Sequence, residues 1–258
     1  MATPMSIPTP ATERNAVRAG AVFAWIALAI GALCAAAALL AGPGYRMQLW
    51  SLTVGFLLLR WATMGALGGA VAALLAGGLL ALARGRRGRA MAAAALVVNV
   101  LAAAPPLYLY TQAQGLPKIH DISTDTADPP AFVAVLPLRQ GARNPVAYRP
   151  DTAVQQKRGY PDIAPLRLDV APAEASARAE RAARSMGWEV VAVAPDALRI
   201  EATATTRFFG FKDDVVIRIR PQGQGSLVDV RSLSRIGGSD VGANAKRVRA
   251  FLAKLAAG

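Results

Sequence analysis

"FKDDVVIRIRPQGQGSLVDVRSLS", residues 211–234, decides the fold of the C-terminal half of this chain. Val215, Ile217 and Ile219 alternate with Val216, Arg218 and Arg220, so the run reads as a strand with one apolar and one mixed face. "QGQG" is a turn signal, and "LVDVRSLS" beyond it is a second strand that so short a connection makes antiparallel. Upstream, "WEVVAVA" and "ALRIEATATTRFF" are strand-like at about ten-residue spacing, and "LRLDV" alternates as well.

A helix separates "LRLDV" from this meander. "PAEASARAERAARSMG" has Pro172 at its first position and Gly187 just past its end. Its apolar face is Ala175, Ala179, Ala182 and Met186, while Glu174–Arg178 and Glu180–Arg184 pair on the wet side. A last helix follows "GGSD", where Ser239 or Asp240 can cap it. Its stripe is Val241, Val248, Leu252 and Leu255, with Phe251 beside it and Asn244 on the same line. The order β-α-β-β-β-β-α predicts an α+β domain over residues 166–258: a five-stranded antiparallel sheet with two helices on one face.

The first 113 residues are of another kind. Residues 19–41, 61–83 and about 90–110 contain no Asp, Glu, Lys, Arg or His. Each is long enough to cross a bilayer, which takes about 20 residues, and within hydrocarbon only a helix satisfies its own backbone. A cleaved secretory signal is the competing reading of the first run, whose length exceeds a signal core. "QLWSLTVGFLLLR", residues 48–60, has Gln48, Ser51 and Gly55 on one stripe and reads as an interfacial helix, with Trp50, Arg60 and Trp61 near headgroup level. An overlong second helix is the alternative. Gly65–Gly69 has small-residue spacing suited to helix contact. The absence of charge within the runs argues against ion or solute transport by this chain alone.

Arginine placement sets orientation. Arg84, Arg86, Arg87 and Arg89 follow the second run, whereas the loop after the first holds Arg46, with Arg60 at its edge. Positive charge marks the cytoplasmic side, so the N-terminus and residues 84–89 face inward. Three crossings then put everything after residue 113 on the far side. In a bacterium with two membranes this is a multi-pass protein of the inner membrane with a periplasmic C-terminal domain.

The net charge of +13 does not imply a nucleic-acid partner. Four of the charges form the inside turn, and residues 118–258 carry 21 basic against 15 acidic side chains. A basic surface outside the membrane suits anionic headgroups or other polyanions. The single cysteine, Cys34, falls in the first apolar run and permits no intramolecular disulfide. Residues 114–165 contain prolines at 117, 129, 130, 137, 145, 150, 161 and 165 around the apolar "AFVAVLP". They read as an ordered arm wrapping the domain or the membrane region.

"YPDIAPL", "TTRFFGFKDDVVIRI" and "DVRSLSRIGGSDVGANAKRVRAFL" resemble a bacterial domain-of-unknown-function family, the one numbered 1499. "IHDISTDTADPPAF" is similar to the arm of those members that carry N-terminal membrane helices. The resemblance covers roughly residues 118–258. It implies a membrane-attached envelope protein and supplies no reaction.

Two constellations have residue types fit for chemistry. His120, Asp121, Asp125 and Asp128 are weak metal candidates, because their spacing matches neither a two-histidine helix nor a calcium loop. The same residues serve a turn-rich strap, where Asp and Thr bond their own backbone. The second set is Arg207, Asp213, Asp214, Arg231, Arg235, Ser239, Asp240, Asn244 and Arg247, near strand ends and the start of the last helix. Structural bracing is the first reading, since unpaired buried charge is costly. An anion or lipid-headgroup site at the helix start is the second. General acid–base catalysis by Asp213 or Asp214 needs a raised pKa beside arginines that lower it.

Phe208 reads as a plug of the sheet's open end, with Phe209 and Phe211 unassigned. The lone histidine leaves no triad, and neither a phosphate loop, a dinucleotide fingerprint nor a CxxC is present, so no cofactor is expected. Three functions remain. They are a non-enzymatic envelope module facing a lipid, an envelope glycan or a membrane protein partner; an enzyme on an anionic envelope substrate; and an accessory subunit of a membrane complex. An open pocket lined by Arg231, Arg235 and Asp213 would favour a binder or enzyme, and a closed, paired network a structural module.

Overall fold

The computed structural model describes residues 11–83 and 86–258. The first ten residues, assigned above to the inside face, and Arg84 of the basic turn lie outside the described residues. The described residues form two compact units that divide between Thr111 and Gln112.

The first unit contains α1 (Ala11–Arg46), α2 (Leu52–Leu82) and α3 (Arg86–Gln114), each with a stretch long and apolar enough to cross a membrane. The interfacial helix expected at 48–60 is not a separate element. Ser51 caps α2, its hydroxyl accepting from Val54 N–H at 3.4 Å, and the helix runs unbroken through Arg60 and Trp61. Nothing in "LTVGFLLLRWATMG" interrupts it. Trp50 turns back on α1, donating to the Ala41 carbonyl at 3.0 Å.

The contacting faces are made mostly of small residues, Ala24, Ala27 and Gly31 in α1 and Ala62, Ala66, Gly69, Ala73 and Ala76 in α2, with Leu80 the buried large side chain among them. Leu33, Leu39, Leu74 and Leu75 point outward. Alanine inside and leucine outside inverts the pattern of a water-soluble bundle and matches helices packed within lipid. Asn99 of α3 is the polar exception, fully buried, its amide donating to the carbonyls of Ala27 and Ala95 at 2.8 Å each. A Cβ at Gly31 or Gly69 would overlap this amide, and one at Gly65 would meet Cys34 Sγ at 2.7 Å. Close approach is why these positions are glycine.

The second unit runs β1 (Asp121–Ser123), a 3-10 turn (Leu136–Arg139), α4 (Pro150–Gly159), β2 (Leu166–Leu168), α5 (Pro172–Ser185), β3 (Glu189–Ala194), β4 (Arg199–Thr205), β5 (Lys212–Gln222), β6 (Gly225–Ser234) and α6 (Ala243–Ala256). The meander β3–β6 is antiparallel, as its short turns require. The sheet has six strands rather than five, in the order β1-β6-β5-β4-β3, with β2 also on β6. β1 pairs with residues 231–233 and β2 with 226–228, so two three-residue strands lie end to end along one edge of the longer β6. The extra strand comes from inside "IHDIS", where turn-forming neighbours conceal it.

Helices α5 and α6 cover one face of the sheet. Ala175, Ala179 and Ala182 sit over Ile200, Ala202, Val215 and Ile217 in the main core, and Trp188 stacks on Phe251 with ring centroids 5.3 Å apart. The stripe of α6 differs from expectation. Ala245, Val248, Phe251 and Leu255 are buried, whereas Val241 is exposed, with φ +52° before the helix begins. The opposite face is covered by the proline-rich stretch, whose Phe132 and Val135 pack on Val216 and Leu233. The unit is therefore three layers: helices, sheet, and an irregular outer layer built mainly from residues 125–148, with α4 joined to β1 through Gln156 and Ser123.

Candidate functional site

Successive side chains of a strand point to opposite faces, and β5 applies this to Asp213 and Asp214. Asp213 faces the helices and receives Arg247 of α6 at 2.5 Å. Beside it Asn244 is fully buried. Its amide donates to His120 O at 3.0 Å and Ser234 Oγ at 2.9 Å, and its Oδ1 accepts from Ser232 Oγ at 2.7 Å and from Arg247. Asp240 caps α6 from two residues outside, accepting Gly242 N–H at 2.8 Å and Asn244 N–H at 2.9 Å. Gly242, at φ +77°, makes the turn that allows it. Burial pushes the Asp240 carboxyl up, against the pull of those N–H groups.

Asp214 faces the outer layer. It accepts from Arg139 at 2.5 Å, from Arg235 at 2.7 and 2.9 Å, and from Thr203 Oγ1 at 2.8 Å. Further along the same face Arg231 donates to both oxygens of Asp121 and to the carbonyls of Pro130 and Val146. Its guanidinium lies 5.0 Å from the centre of the Phe132 ring and 5.2 Å from that of Tyr148. Glu201 accepts the N–H groups of Val133 and Val135 and pairs with Arg199 at 2.9 Å.

Arg218 reaches Asp125, Asp128 and Asp229, and Arg220 reaches Asp125 and Asp229. Burial raises Asp229 although both arginines pull it down, and one of its oxygens has no hydrogen-bond partner among the described residues. Asp125 goes the other way. Burial pushes it up, but the N–H groups of Asp128 and Ala127 and the two arginines outweigh that and hold it below the usual carboxylate range.

The nine residues singled out from the sequence therefore do not converge. Asp213, Asp240, Asn244 and Arg247 belong to the helix side; Asp214, Arg231 and Arg235 belong to the other. Arg207 is exposed in the β4–β5 turn, and Ser239 is exposed, its hydroxyl accepting Val241 N–H at 3.3 Å. Of the weak metal candidates, Asp121 is held by Arg231, Asp125 by Arg218 and Arg220, and His120 contributes its backbone carbonyl. Among the described residues no three His, Cys, Asp or Glu side chains are grouped to hold a metal.

Arg139, Glu201, Arg218, Arg220 and Asp229 complete the network without a local sequence pattern to mark them. The Arg218–Asp229 cross-strand register was the one signal in reach, hidden because it depends on the exact β5–β6 turn. Phe208, expected as the plug, is not the buried member of this cluster. Phe209 is buried and stacks on Phe211 at 5.1 Å, while Phe208 is exposed, because Gly210 at φ +70° reverses the chain there.

A surface cavity of about 310 Å³ is lined by Thr124, Thr126, Gln156, Lys157, Tyr160 and Ile163. Arg231, Arg235 and Asp213 do not line it.

Three helices of membrane-crossing length and apolarity, followed by a three-layer α+β unit with paired charges under its outer layer, define a membrane protein carrying a folded sheet domain. The chain belongs to the family described as protein of unknown function (DUF1499), which matches residues 121–255, more than half its length. That match begins at the first residue of β1, so the outer layer is part of the family's domain and not an appendage. Comparison with curated proteins and with solved structures found no match.

Proposed function

We propose that this chain is a multi-pass protein of the bacterial inner membrane, holding its α+β domain on the periplasmic side as a non-enzymatic binding or structural module. One observation carries the reading: the arginines and aspartates of the domain close on each other. Asp213 and Asp214 are 2% and 0% exposed. Asp213 and Asp214, the two carboxylates weighed for acid–base chemistry, each already accept from an arginine. Arg231 and Arg235, which an anion site would need, are directed at Asp121 and Asp214. Buried, fully bonded pairs of this kind hold elements in register and are poor reagents.

The orientation rests on the four arginines at sequence positions 84, 86, 87 and 89. Alkaline phosphatase and a fluorescent protein, each fused after Gly258, test it. Phosphatase activity without fluorescence is expected, and the reverse would overturn the periplasmic assignment. Native mass spectrometry from detergent tests the module itself. A retained lipid or subunit is expected, and release of a processed small-molecule product from an anionic envelope substrate would overturn the non-enzymatic reading.

A further inference from the structure

The outer layer is charged toward the protein and apolar toward the outside. Inward, Asp121, Asp125 and Arg139 join the ion pairs, and buried Gln156 donates to Ser123 O at 2.6 Å and accepts Ser123 N–H at 2.9 Å. Outward, Val133, Leu136, Leu138, Val146 and Val154 are each between 37% and 52% exposed. Only Val193, Phe208 and Val241 are comparable large apolar side chains exposed elsewhere in the unit.

The segments that carry the five form one layer. Arg231 bonds the carbonyls of both Pro130 and Val146, Arg139 bonds that of Asn144 at 2.8 Å, and Tyr148 bonds Gln156 at 3.2 Å. Arg143 is exposed on this layer, and Lys157 and Arg158 are exposed on α4 beside it. The one acidic residue between Val133 and Arg158, Asp151, is paired with Arg149.

Water penalises aliphatic groups left outside over charges placed inside. A low-dielectric covering with an anionic rim reverses that preference. Such a surface is within reach, because only Gly115 separates the last residue of α3 from Leu116, which packs on the domain core. We propose that this outer layer is the face by which the domain lies on an anionic bilayer. Val133, Leu136 and Leu138 enter the boundary between headgroups and acyl chains, and Arg143, Lys157 and Arg158 meet lipid phosphates. The inference rests on reading α1–α3 as membrane spans.

The full chain, with Cys34→Ala and one new cysteine bearing an environment-sensitive fluorophore, tests it in nanodiscs. These are made of phosphatidylcholine alone or with phosphatidylglycerol, each with and without brominated acyl chains. Three sites are compared: Leu136→Cys, Leu75→Cys on the outward face of α2, and Ser185→Cys at the end of α5 on the opposite layer. The label at 136 is expected to shift to the blue and be quenched by bromine, more strongly with phosphatidylglycerol. The label at 75 is expected to be quenched in both lipids and that at 185 in neither. A label at 136 that behaves like the one at 185, while 75 is quenched, overturns the docking face and leaves the anchoring intact. A blue shift at 136 without bromine quenching assigns the face to a protein contact and overturns the lipid. An unquenched label at 75 overturns the anchoring itself.

Discussion

Arg231 grips Asp121 with two hydrogen bonds, of 3.0 and 2.8 Å, across 110 residues of chain. Both side chains are more than nine-tenths buried. β1, the strand that begins the family's domain, is thus tied to β6 by charge as well as by its backbone ladder.

Asp121→Ala should lower the domain's unfolding free energy by about 3–5 kcal/mol, because it leaves a buried guanidinium without its counter-charge. Denaturant unfolding in detergent, followed through the buried Trp188, measures this. A midpoint equal to wild type would contradict the pairing.

Asn244 makes its bonds between β6, α6 and the His120 carbonyl. Asn244→Ala should cost about 1–3 kcal/mol by leaving those groups unsatisfied. The same unfolding measurement reads it, and an unchanged midpoint would refute it.

In the membrane-length bundle, Gly69→Ala places a methyl group on the Asn99 amide. It should lower the thermal midpoint in detergent, and Asn99→Ala in the same chain should restore part of the loss by making room. Loss of the Asn99 bonds themselves should cost about 0.6–1.7 kcal/mol, the range for polar contacts between helices in lipid. If the double variant is no better than Gly69→Ala alone, the two residues are not in contact.

Asp125 has a carboxyl held below the ordinary range. A depressed folded-state value means that its contribution to stability is present above the unfolded value, about 3.9, and is lost as pH falls below it. The difference in thermal midpoint between wild type and Asp125→Asn should therefore be largest at neutral pH and shrink in acid. A difference that holds constant into acid would show that the charge of Asp125 is not what holds the outer layer. Asp229, raised by burial, has the opposite sign: its protonation on mild acidification favours the folded state.

Periodicity carried much of the architecture. Uninterrupted apolar runs made α1–α3 legible, because a bilayer tolerates little else, and strict alternation in β5 with the alanine face of α5 made the sheet and its first helix legible. Local chemistry also marked the ends of α5, through Pro172 and Gly187. The start of α6 was less readable, because Asp240 reaches its cap only across a left-handed glycine.

What the sequence by itself determined is the set of segments able to bury apolar surface, since that depends on spacing along one strand or helix. Only the tertiary structure decided which charges meet. Asp213 and Asp214 are neighbours in the chain, yet one pairs with α6 and the other with a 3-10 turn seventy-five residues earlier. The i,i+4 pairs of α5 follow from helix spacing, but the buried pairs join residues far apart in the chain, so no local pattern encodes them. The same holds for the proline-rich stretch, which composition marks as an ordered arm without saying what it covers. Its Asp121, Asp125 and Arg139 have their partners on β5 and β6, more than seventy residues further along the chain.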